Sequence, residues 1–105
     1  MRAVFPAKLL GDTRTLTFDF TSLLGLGESV ASAVCTCSVY SGTDASPGSV
    51  VNGAASVSSP LVNQSVTGGV LGTIYEIKCT ATTTGVTPVQ ILVISGFLAV
   101  LQDLV

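Results

Sequence analysis

The sequence predicts an all-β fold, a sandwich of six or seven short strands. Apolar and polar residues alternate with period two in several segments, the pattern of strands that bury one face. Clusters of Gly, Pro, Ser and Thr interrupt those segments about every eight to twelve residues, as turns do in sandwiches. No segment carries a long helical period, which argues against an α/β fold. At 105 residues, the chain suits one domain with one core.

Residues 13–20 (TRTLTFDF) alternate cleanly, with Leu16, Phe18 and Phe20 on one face and Thr15, Thr17 and Asp19 on the other. Residues 21–27 (TSLLGLG) lose the alternation and read as a corner or a single helical turn. Residues 28–40 form a long β-prone run. Its face of Ala31, Ala33, Cys35, Cys37 and Val39 is the more uniformly apolar and is expected to meet the core; Val30, Ser32, Val34, Thr36, Ser38 and Tyr40 form the other.

Residues 41–52, with Gly42, Pro47 and Gly48, read as a loop and as the segment expected to be most mobile. Residues 54–59 and 61–66 are weaker strand candidates separated by Pro60. The TGGVLG stretch from Thr67 is a turn, where Gly68 and Gly69 permit positive φ. The best-patterned strand follows at 74–82: Tyr75, Ile77, Cys79 and Ala81 face one way and Glu76, Lys78, Thr80 and Thr82 the other. Residues 83–85 turn the chain, and 86–94 return as the second strand of a hairpin.

From Ile91 that return strand is apolar on both faces, which predicts either a central strand or an outer face covered by another subunit. The tail beyond it contains Phe97, Leu98, Val100, Leu101, Leu104 and Val105. Such apolar surface is not left in water. The chain therefore divides into a sandwich domain, 1–94, and a C-terminal extension, 95–105, that packs on the domain or on a neighbouring subunit by strand addition or groove docking.

Composition narrows the function. There is no histidine, so a serine hydrolase lacks its usual base. The carboxylates Asp12, Asp19, Glu28, Asp44, Glu76 and Asp103 are scattered, with no pair set for glycoside hydrolysis. The glycines at 68–72 precede no helix and lack a P-loop lysine. No catalytic residue, metal ligand set or cofactor site is expected, and the chain is not expected to be an enzyme.

Arg2, Lys8, Arg14 and Lys78 make no basic footprint for nucleic acid. The most apolar stretch, 88–101, is too short for a membrane helix, and Pro6 and Lys8 interrupt any secretory signal. Cys35, Cys37 and Cys79 are one ligand short of a structural zinc site. As an odd set they read as buried free thiols, suited to a reducing cytoplasm. Charged residues make up 10% of the chain while 48% is hydrophobic, against about a quarter charged in ordinary domains. This predicts a subunit packed against copies of itself or a larger lattice.

One set of residues goes further. Phe18, Asp19, Phe20 and Thr21 end a strand; Leu24, Gly27, Glu28, Ser29, Val30 and Ser32 follow; then come Gly68, Gly69, Gly72, Thr73 and Tyr75 at the start of another. In order and spacing this resembles a pattern found in small virion-associated structural proteins of tailed phages, over roughly residues 13–94. The family usually has Asp after the glycine where this chain has Glu28. It often returns through a charged turn where this chain has neutral residues 82–88. The resemblance implies an immunoglobulin-like β-sandwich of about seven strands. Tyr75 is similar to the tyrosine corner of such sandwiches, whose hydroxyl bonds upstream backbone.

Phe18, Asp19, Phe20, Gly68, Gly69, Gly72 and Tyr75 are then structural, with Asp19 bonded to amides or a hydroxyl of the following corner. The implied role is a virion structural protein assembled in the host cytoplasm. Its main form is a capsid decoration or cement protein that contacts the major capsid protein and copies of itself. The first alternative is a neck, tail or fibre-associated component; the second is a sandwich that binds a host surface or glycan. Phe97, Leu98, Val100, Leu101 and Pro47 are the expected contact residues.

Overall fold

The structure, a computed structural model, describes residues 2–9, 11–85 and 87–101. Eight strands form two sheets: β1 (Arg2–Val4), β2 (Lys8–Leu9), β3 (Arg14–Asp19), β4 (Ser29–Ser41), β5 (Ser56–Ser58), β6 (Leu61–Val66), β7 (Ile74–Thr84) and β8 (Ile91–Leu101). One sheet runs β1-β8-β7-β4 with β2 also on β8, and the other runs β3-β6-β5. In the lettering of immunoglobulin domains, β3, β6 and β5 hold the places of B, E and D, and β4, β7 and β8 those of C, F and G. The sandwich expected from the sequence is the fold observed.

The expected alternation fills the core between the sheets. Leu16, Phe18 and Phe20 enter from the small sheet, and Tyr75, Ile77, Cys79 and Ala81 from β7; all are buried. Phe5 packs edge-on against Phe18, with ring centroids 5.2 Å apart. A glycine at 96 makes room for it, since a Cβ there would collide with the Phe5 ring.

Four features differ from the sequence reading. First, β1 and β2 flank Pro6 and pair in parallel with β8. At three and two residues they are too short to show periodicity. Lys8, within β2, is buried, and its ammonium donates to the Leu9 carbonyl at 3.0 Å.

Second, β8 begins at Ile91 and runs to Leu101. Residues 95–101 are thus the second half of a core strand rather than an extension beyond the domain. Val86, where the return strand is expected to start, and the tail residues 102–105 lie outside the described residues. Third, the register of β4 against β7 shifts between Val30 and Ser32. This bulge turns Val30 into the core and Ala31 outward, while Ala33, Cys35, Cys37 and Val39 keep the inward face.

Fourth, the loop from Gly42 is anchored. Residues Pro47–Val50 form a 3-10 turn whose Val50 is fully buried. The Asn52 amide donates to the Ser65 carbonyl and the Thr67 amide to the Val50 carbonyl, each at 2.9 Å.

Candidate interaction surfaces

The residues with a predicted structural role sit at two corners. At the first, β3 ends on Asp19, whose carboxylate accepts hydrogen bonds from the Thr21 hydroxyl and from the Thr21 amide. These bonds hold the Asp19 carboxyl below its ordinary range. They also start the 3-10 turn Thr21–Leu23, while Phe18 and Phe20 on either side are buried.

The second corner joins β6 to β7. Gly68, Gly69 and Gly72 all have positive φ, at 62°, 94° and 81°. Gly69 is also crowded: a Cβ would meet Val100 and the Tyr75 ring. The Tyr75 hydroxyl accepts a hydrogen bond from the Val70 amide at 2.7 Å and donates one to Asp44 Oδ2 at 2.7 Å. The upstream amide bond is that of a tyrosine corner. The second bond ties it to the β4–β5 loop, where Asp44 Oδ1 accepts from the Ser46 amide at 2.8 Å. Burial, and then donation to Asp44, push the Tyr75 hydroxyl above its ordinary pKa.

The predicted contact residues separate. Leu98 and Val100 point inward and are fully buried in the chain's own core. As contacts for a partner they are corrected, because the even positions of β8 face the small sheet. Phe97 and Leu101 lie on the outer face and are half-buried. Phe97 packs on Tyr40 with ring centroids 4.6 Å apart. Pro47 is half-buried at the start of its 3-10 turn.

Among the described residues, exposed apolar side chains gather on the outer face of the large sheet. Ile91 is 69% exposed, Val34 65% and Tyr40 61%. Val93 is exposed beside Thr80, which pairs with Val34 on its other side. The face carries two charges from β7, Glu76 between Ser38 and Phe97, and Lys78 between Thr36 and Ser95. Neither joins an ion pair among the described residues, where Arg14 and Asp12 meet at 3.6 Å.

Further exposed apolar residues mark the ends: Leu26 and Val89 on loops at one, Val70 and Leu71 in the tyrosine corner at the other. None of these loop residues shows in the sequence, because periodicity carries no information in loops. Val34 and Tyr40 were legible as the face of β4 turned from the core.

A half-open cleft of about 150 Å³ lies beside β4, lined by Ala33, Val34, Cys35, residues 53–55 and Gln64. The Gln64 amide nitrogen donates to the carbonyls of Gly53 and Ser65 at 3.0 and 2.9 Å. The cleft presents no acid–base pair. Cys35 and Cys79 are register partners on β4 and β7, and all three cysteines are free. Their mutual hydrogen bond lowers the Cys35 pKa and, with burial, raises that of Cys79. Burial, with Asp44 nearby, pushes Cys37 up to about 12. Among the described residues no group of three Asp, Glu or Cys side chains could hold a metal ion, and no helix is long and apolar enough to cross a membrane.

No curated protein and no solved structure matches the chain. A family model does, described as podophage GP4 fiber-tail adaptor protein gp77, and it aligns with residues 8–91. That range is 84 of the 105 residues and runs from β2 to the first residue of β8. A match over most of the chain shows that it belongs to the podophage fiber-tail adaptor family gp77, which makes it a phage virion component.

Proposed function

We propose that this protein is a structural, non-catalytic link between the tail and the fibres of a podophage particle. The family supports the tail- and fibre-associated reading over capsid decoration. The observation that carries it is the placement of exposed apolar residues at both ends of β7. Val70 and Leu71 precede this strand, and Leu26 and Val89 lie beyond its far end, where Gly85 approaches the Gly27 carbonyl. Eleven residues of strand separate the ends by about 35 Å at about 3.3 Å per residue. A rigid body with an apolar tip at each end suits a part that must touch two neighbours at once. Contact affinity comes from burying those tips and is multiplied by copy number in the particle.

The test is a phage carrying a stop codon in this reading frame. The expected particles have filled heads and tails that lack fibres, and the protein supplied in trans restores fibres. Heads that leak DNA while fibres remain attached would favour decoration instead. Copy number relative to the major capsid protein separates the same two cases: a few to a few tens for a tail link, hundreds for decoration.

A further inference from the structure

We propose that the outer face of the large sheet is a two-fold interface to a second copy of this chain. The inference rests on how charge and apolar groups are arranged on that face, and it adds a self-contact to the linking role above.

An isologous contact requires a self-complementary patch: if residue i meets j, then j meets i. The face satisfies this about a two-fold axis crossing β7 at Ile77. Glu76 and Lys78 stand one on each side of Ile77, both pointing outward. Such an axis, in the plane between the copies and perpendicular to β7, lays Glu76 over Lys78 of the second copy and Lys78 over its Glu76. The same operation pairs the neighbouring rows. The row of Val34, Thr80 and Val93 falls over the row of Ser41, Ile74 and Ala99, with Tyr40 beside it. Val34 therefore meets Tyr40 of the second copy, and Val93 meets its Ala99. Ile91, one row further out, reaches Leu101.

The exposed apolar side chains of β4 and β8 on this face, Val34, Tyr40, Ile91 and Val93, thus find apolar partners, and the two charges find each other. A face docking on an unrelated protein has no need of opposite charges placed symmetrically about one residue. Three strands of eleven or more residues span about 35 Å by about 15 Å. That is on the order of 500 to 600 Å² per copy, at the small end of specific interfaces. The contact is therefore a micromolar one in solution, strengthened where copies are held close in the particle.

The test is the molar mass of the full chain by sedimentation equilibrium, from about 1 to about 200 μM, with dissociation midpoints in the micromolar range expected. Glu76→Lys puts lysines over lysines, and Lys78→Glu puts glutamates over glutamates. Each single variant is expected to weaken the dimer about tenfold or more. An equimolar mixture of the two restores it as a heterodimer, and the double variant Glu76→Lys/Lys78→Glu restores the homodimer. Far-ultraviolet circular dichroism and the melting temperature confirm that each variant is folded.

A wild-type chain that stays monomeric to about 200 μM overturns the proposal. So does a self-association that the single variants leave unchanged, or one that the mixture fails to rescue. A protein monomeric in solution but present at fibre bases overturns the two-fold contact alone. A dimer absent from tails overturns the linking role alone.

Discussion

Tyr75 and Asp44, thirty-one positions apart, share a 2.7 Å hydrogen bond that fastens the β6–β7 corner to the β4–β5 loop. One phenol serves both sides, since it also accepts from the Val70 amide. Tyr75→Phe keeps the ring in the core but removes the partner of the Val70 amide and of Asp44 Oδ2. The expected loss is about 2 kcal/mol in urea unfolding, within the range for bonds to charged groups. A double-mutant cycle with Asp44→Ala should show coupling of about 1 kcal/mol or more.

The same pair predicts an alkaline limit. The folded Tyr75 hydroxyl titrates above its ordinary value of 10.0 because burial and the Asp44 bond favour the neutral form. Its stabilisation is therefore complete below pH 10 and lost as pH rises beyond it. Denaturation midpoints measured from pH 8 to 11 should fall above about 10, and the Tyr75→Phe protein should show a shallower fall.

At the acid end the sign reverses. The Thr21 hydroxyl and amide hold Asp19 below its ordinary value of 3.8. Its contribution is present above that value and is lost as pH falls through the lower, folded pKa. Asp19→Asn and Thr21→Val should each flatten the stability curve below about pH 4 while changing the pH 7 midpoint only slightly, because the group is on the surface.

Leu98 tests the assignment of the last strand. Leu98→Ala removes a fully buried side chain and should cost about 2–5 kcal/mol. Deleting residues 97–105 should abolish cooperative unfolding, because β2 loses its pairing partner, β1 keeps only Ser95 and Gly96 beside it, and the core loses Leu98 and Val100. A truncated chain that keeps its near-ultraviolet spectrum and changes only in mass would show that the segment is an appendage after all.

The thiols make a chemical prediction. Cys37 titrates at about 12 and Cys79 above its ordinary value, so neither offers thiolate near pH 8; Cys35 is lowered but buried. A neutral disulfide reagent should label the native protein slowly and release three equivalents promptly in denaturant. If one thiol reacts first in the native state, it should be Cys35.

Strands buried on one face were legible because each reports its own environment. Leu16, Phe18 and Phe20, and Tyr75, Ile77, Cys79 and Ala81, alternate with polar neighbours without interruption, and these side chains face inward as the alternation predicts. What the sequence hid depends on partners far along the chain. The two residues of β2 are a strand only because Val100 and Leu101 lie beside them. The phase of β4 changes at a bulge that no alternation announces. Beyond Ile91, both faces of β8 are apolar for different reasons. Leu92, Ile94, Leu98 and Val100 serve the core, while Ile91 and Val93 remain open. Period two cannot separate those uses, and the sequence alone therefore points to Leu98 and Val100 as contacts.

The candidate surfaces were legible to a lesser degree. The glycines at 68, 69 and 72 and the position of Tyr75 pointed to a tied corner, but the acid that completes it lies in a loop. Glu76 and Lys78 read only as the polar side of a strand. Their relation to the neighbouring rows needs the register of three strands.

The parallel seating of β1 and β2 on β8 has a consequence during synthesis. β1 and β2 leave the ribosome well before β8, their hydrogen-bonding partner. Until β8 emerges, the large sheet lacks its middle and the core lacks Leu98 and Val100. Completion of the sandwich must therefore wait for β8, and a nascent chain halted before it would present open strand edges to whatever lies nearby.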